Sequence, residues 1–119
     1  MLGILAKILV YSNEKDIKAV SEQSLRFNYA IYKLYQDNSW WNQKVEYLLN
    51  KDFGALKIDW YDIYEKIYDG KHDKPQDDLT KNLNKAAVYG DLTTVNVLIL
   101  AGVDPTANDN YAIRLVSSL

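Results

Sequence analysis

The stretch NLNKAAVYGDLTTVNVLILAGVDP, residues 82–105, decides the fold. Its apolar residues fall into two sets at helical spacing: Leu83, Ala86 and Ala87, then Leu92, Val95, Leu98 and Ile99. Between them Tyr89, Gly90 and Asp91 turn the chain, and Gly102 stands where the second helix has to stop. Small alanines let two helices approach closely, and glycine permits reversals that a side chain obstructs. The segment therefore predicts a tight helix pair whose second member needs cover along Leu92, Val95, Leu98 and Ile99. After the loop VDPTANDN, the sequence NYAIRLVSSL begins a further helix.

Upstream lies KHDKPQDD, polar, broken by a proline and without periodicity, so residues 71–79 are assigned as a linker. The preceding residues predict five helices. Leu2, Leu5, Ile8 and Leu9 form one stripe of the first. Asn13, with Asp16 three residues on, caps a short second helix carrying Ile17 and Val20. Ser24 starts a third, which runs through Leu25, Ile31 and Leu34 to Tyr35. Asp37, Asn38 and Ser39 are all good cap types ahead of a fourth, with Trp40, Trp41, Val45, Leu48 and Leu49, ending near Asn50 and Gly54. Asp59 caps a fifth, apolar at Trp60, Ile63, Tyr64, Ile67 and Tyr68, which Asp69 and Gly70 close.

Composition narrows function more than it specifies it. A chain of 119 residues, 48% hydrophobic and 25% charged, is of ordinary globular type and buries roughly two thirds of its unfolded surface. The net charge is −2, with 9 basic and 10 acidic groups in residues 1–70 and 5 and 6 in residues 71–119. That balance offers no basic face for nucleic acid or anionic lipid. The first helix is apolar over only about ten residues, too few for a membrane span. It is read as core, not as a signal peptide or anchor.

Catalytic sets are equally thin. The single histidine, His72, lies in the linker, and there is no cysteine, so no His/Cys constellation for zinc or nucleophilic catalysis can be assembled. Neighbouring carboxylates such as Asp59 and Asp62, or Asp77 and Asp78, occur where acidic residues serve as caps or solvated charge. The five glycines, at positions 3, 54, 70, 90 and 102, form no phosphate loop. Ten tyrosines and three tryptophans are read as core packing in preference to a stacking surface for single strands. Trp40 and Trp41 project roughly 100° apart on a helix, so one of them is free to serve a partner.

Two family resemblances cover most of the chain. The order ILAKIL, KDIKAVSEQSLRFN and DNSWW, within residues 1–41, resembles an F-box, and LLNKDFG with DWYDIYEKIY, within residues 42–70, is similar to the tail that often follows one. The Leu-Pro pair that usually opens an F-box is not in this sequence, which implies a truncated member with part of its adaptor edge missing. Residues 80–119 resemble ankyrin repeats in the form found in giant viruses of amoebae, with VNVLILAGVDP in ankyrin order and ANDNYAIRL close to the viral type. Aligning Leu83 with Ile113 gives a period of 30 residues, short of the usual ~33. One and a third repeats cannot bury their faces alone, so the pair is expected to dock on the N-terminal helices.

The expectation is thus an all-α protein: a small F-box-like helical bundle followed by one to one-and-a-third ankyrin-type helix pairs. The resemblance implies a non-catalytic adaptor without cofactor or metal, cytoplasmic in a host cell or packaged in a virion. Its F-box face, Leu2, Leu5, Ile8, Leu9, Ile17, Val20 and Leu25, would meet a Skp-type adaptor of a cullin ubiquitin ligase. Its ankyrin surface, Tyr89, Asp91, Asp104, Asn108 and Asn110, would hold a target protein. The stripe on the first helix reads equally as ordinary core. The alternative function is a structural or virion-associated protein that has lost ligase binding and pairs as a homodimer.

Overall fold

The computed structural model describes residues 2–54, 56–67, 79–106 and 114. The fold is all-α, with no strand among the described residues. In chain order the helices are α1 (Leu2–Val10), α2 (Glu14–Ser21), α3 (Leu25–Tyr35), α4 (Asn38–Leu49), α5 (Trp60–Ile67), α6 (Leu79–Val88) and α7 (Leu92–Leu100). Leu79, read from sequence as the last linker residue, is instead the first of α6. The rest of the linker with His72, the closing Asp69 and Gly70, and the partial repeat with Asn108 and Asn110 lie outside the described residues.

Local chemistry sets the ends of these helices. Asn13, Ser24, Asp37 and Asp91 each accept a hydrogen bond from a first-turn amide of α2, α3, α4 and α7, satisfying donors that the helix itself leaves unpaired. Three helices end by the same device. Asn50 (φ 51°), Gly90 (φ 69°) and Gly102 (φ 98°) adopt left-handed backbone after α4, α6 and α7. At the last of these the Gly102 amide donates to Ile99 O (3.0 Å) and the Val103 amide to Leu98 O (3.1 Å), the paired pattern that closes a helix on a left-handed residue.

Helix α4 is the centre of the bundle and packs against α1, α3 and α5; α2 lies on α3, and α6 pairs with α7. Both tryptophans of α4 are buried, so neither stands on an open outer surface. Their 100° offset on the helix serves two core walls. The Trp40 indole donates to Ala6 O of α1 (2.9 Å), and the Trp41 indole donates to Tyr35 O at the end of α3 (2.9 Å). Asn38 fastens the approach to α5, donating from Nδ2 to Ile58 O (2.9 Å) and accepting at Oδ1 from the Trp60 amide (2.9 Å).

One hydrophobic cluster runs through both parts of the chain, from Leu9, Ile17, Trp40, Val45 and Trp60 to Leu83, Val97 and Leu98. The helix pair therefore completes the N-terminal core, with burial worth roughly 1.5–3 kcal/mol for each large side chain. The covered face of α7 is Thr94, Val95, Val97 and Leu98; Leu92 and Ile99, expected to need cover, are largely exposed. Tyrosines depart from the core-packing expectation as well. Tyr64 is buried, but Tyr11, Tyr29, Tyr32, Tyr35, Tyr47, Tyr61 and Tyr89 are all exposed, in keeping with a ring whose hydroxyl stays wet.

Candidate binding surfaces

Some of the residues that sequence singled out gather in a cleft of about 740 Å³ where α5 meets the α6–α7 pair, within the ~300–1,000 Å³ usual for ligand sites. Asp62, Glu65 and Lys66 of α5 form one wall, Lys81, Asn82, Lys85 and Ala86 of α6 another, and Tyr89, Asp91 and Thr94 close the end. Tyr89 and Asp91, predicted for a target, are thus brought together with residues of α5. Asp104 is not among them; it accepts from the Thr106 amide (2.8 Å) and hydroxyl (2.6 Å) in the loop after α7.

Asp91 organises the cleft. It caps α7 through the Thr94 amide (3.2 Å) and hydroxyl (2.6 Å), and it pairs with Lys66, which also reaches Asp62 at 2.8 Å. Burial pushes the Asp91 carboxyl up, but hydrogen bonds from Lys66 and Thr94 prevail and hold it below its ordinary value. Lys66 is raised for the complementary reason, its two carboxylate partners outweighing burial. Half-exposed pairs of this kind add about 0.2–1 kcal/mol, so the cap is the larger contribution. Asp91→Ala is expected to cost about 1–2 kcal/mol, read as a lower urea midpoint with an unchanged m-value.

The cleft also holds a group with an unmet bond. The Asn82 side chain is buried, and its Nδ2 has no hydrogen-bond partner. A buried donor without an acceptor costs about 1–3 kcal/mol, a destabilising element in the wall of the cleft. Sequence reasoning missed Asn82, because nothing in NLNKAA distinguishes a buried asparagine from a solvated one.

The other residues singled out, on α1, α2 and α3, divide between core and surface, and the expected adaptor face has to be corrected. Leu9 and Ile17 are core residues, and Leu5 and Val20 are half-buried against that core. Ile8 and Leu25 are exposed; the side chain of Leu2 lies outside the described part. The physical reason is angular. Leu9 and Val10 turn into the core while Ile8, about 100° back from Leu9, falls beyond the edge of the buried face. The outward row is Ile4, Ile8 and Tyr11, which Tyr47 of α4 extends through an edge-to-face ring contact at 4.8 Å. Leu25, Tyr29 and Tyr32 form a second outward row at the same i, i+4, i+7 spacing on α3. The first row was legible as a spacing in the sequence, but the overlapping stripe concealed it.

Among the described residues no three His, Asp or Glu side chains converge in a way that could hold a metal ion, and no helix is long and apolar enough to cross a membrane. Comparison of the chain with protein-family models, with curated protein sequences and with solved structures found no match.

Proposed function

We propose that this chain is a non-catalytic protein–protein interaction adaptor, with an outward apolar face for one partner and the cleft for another. The observation that carries the reading is the row Ile4, Ile8, Tyr11 and Tyr47, left uncovered although the core beneath it is complete. Exposed apolar rows that core packing does not require mark interaction surfaces when they join into a patch. The partner we propose for this face is a Skp-type adaptor of a cullin ubiquitin ligase. Its support is the F-box-like order of α1 to α3, with the contact carried by Ile4, Ile8 and Leu25 in place of the buried Leu9 and Ile17. The target lies in the cleft, where the exposed Tyr89 offers a ring beside Asp91 and Lys66.

The test is the double variant Ile4→Asp/Ile8→Asp, assayed for binding to a purified Skp-type adaptor beside its thermal unfolding. The wild type binds and the variant loses about a hundredfold or more in affinity, as for two central interface residues, with no fall in melting temperature. Equal binding by both proteins, or no binding by the wild type, contradicts the ligase connection.

A further inference from the structure

A small pocket of about 210 Å³ opens on the other side of the bundle, between α2, α3, α4 and α5. It is lined by Glu14, Tyr35, Trp41, Tyr61 and Tyr64, with Ile17 and Lys44. Its size selects its guest. One water occupies about 30 Å³, and drug-sized ligands need ~300 Å³ or more, so the pocket suits a group of a few heavy atoms.

Its walls are aromatic. The Trp41 ring lies 5.2 Å from Tyr35 and 4.8 Å from both Tyr61 and Tyr64, at interplanar angles of 38°, 61° and 43°. Three tyrosines therefore pack on one buried indole, and all four rings belong to residues that line the pocket. Aromatic faces carry negative charge and attract cations within ~6 Å, most strongly when the cation has been stripped of water. Glu14 adds a formal negative charge at the same wall, accepting from the Tyr64 hydroxyl at 2.9 Å. Its field is felt on the far side, where burial and then Glu14 hold the Tyr35 phenol above its ordinary value.

The one carboxylate of the pocket, Glu14, already accepts from the Tyr64 hydroxyl, so a primary ammonium has to compete for it. Lys44 shows what such a group needs: its Nζ turns to three backbone carbonyls, those of Leu9, Val10 and Ser12, at 3.2, 3.3 and 2.6 Å. A cation without N–H groups has no such requirement. We propose that the pocket framed by Tyr35, Trp41, Tyr61, Tyr64 and Glu14 binds a methylated ammonium group, held by aromatic faces and one carboxylate. Such a group arrives either on a trimethylated lysine side chain or on a small quaternary amine.

Lys44 opposes a cationic guest, and the charges facing it are Glu14 on α2 and the carbonyl dipoles at the end of α1; Tyr35, Tyr61 and Tyr64 meet it from α3 and α5. Burial lowers Lys44 to about 8, so the titration is best run at pH 9, where it is mostly neutral. Tyr35 and Tyr61 keep their protons there, since both phenols are raised.

The experiment is a nuclear magnetic resonance titration of the full chain with choline and, separately, with its uncharged isostere 3,3-dimethylbutanol, following the Trp41 indole N–H and the ligand methyl protons. Choline is expected to saturate in the millimolar range with upfield methyl shifts, and the isostere to bind roughly tenfold more weakly or worse. Tyr61→Phe keeps the ring and the binding. Tyr61→Ala, at an exposed rim position that leaves the core intact, loses roughly tenfold. An acetylated trimethyllysine amide that outbinds choline assigns the site to a modified protein; the reverse order assigns it to a small amine. Equal binding of choline and its isostere, no saturable shift with either, or an unaltered Tyr61→Ala overturns the proposal.

Discussion

Replacing Lys44 with methionine is expected to destabilise the protein by about 1–3 kcal/mol at pH 7, and by more at pH 9.5. The ammonium caps the C-terminal end of α1, donating to Leu9 O, Val10 O and Ser12 O, beside the Ser12 hydroxyl, which donates to Ile8 O at 3.0 Å. Methionine keeps the apolar stem but strands those carbonyls. Leu9 O retains a bond from the Ser12 amide at 3.2 Å, so the loss falls on the buried Val10 O and the half-buried Ser12 O, and a buried orphan costs about 1–3 kcal/mol. Part of that loss is returned, because the variant no longer buries a charge.

The pH dependence fixes the sign of that second contribution. Burial lowers Lys44 from 10.5 to about 8, with Glu14 pulling the other way. Between those values the unfolded chain binds more protons at this position than the folded one, so the stability of the wild type rises with pH across that interval. Methionine does not titrate, so the gap between the two proteins widens from pH 7 to 9.5. Both measurements stay below the range of Tyr35 and Tyr61, whose raised phenols would remove stability at higher pH. Urea unfolding of both proteins at the two pH values reads the effect; a gap that narrows contradicts the buried placement of Lys44.

The second large effect separates two neighbours. Leu9→Asp is expected to abolish folding, whereas Ile8→Asp leaves the melting temperature nearly unchanged. Leu9 is 2% exposed and Ile8 is 57% exposed. An isolated carboxylate at the first position must stay charged at a cost of several kcal/mol or take up a proton far above its usual range. Either penalty competes with a total stability of only about 5–15 kcal/mol. At the second position water solvates the new charge, and surface substitutions of that kind stay within about 0.5 kcal/mol. Circular dichroism melts of the two single variants suffice, and similar melts for both would refute the assigned rotation of α1.

Helix positions were legible in the sequence wherever a cap or a left-handed stop marks them. Asn13, Ser24 and Asp37 read as starts, Gly102 as a stop, and Tyr89, Gly90 and Asp91 as a turn, because these residues act on backbone within three or four positions of themselves. Which way each helix faces was legible only in part. The apolar residues of α1 outnumber what one stripe can hold, so choosing between Leu9 and Ile8 required the position of α4. Lys44 was illegible altogether: in NQKVEYLL it resembles any solvated lysine, and its burial follows from where α1 happens to end. The cleft was half legible, since Tyr89 and Asp91 belong to the turn that sequence marked, but Lys66 and Asn82 join it only through packing. The likeness to F-box and ankyrin proteins rests on the quoted residues alone.

The adaptor reading meets its most direct test in light scattering coupled to size-exclusion chromatography, on the purified chain alone and mixed with a Skp-type adaptor. The account predicts a species that enters a one-to-one complex with the adaptor, and an Ile4→Asp/Ile8→Asp chain that elutes apart from it. A stable homodimer that ignores the adaptor would contradict it, and would assign the outward face of α1 to a second copy of this chain.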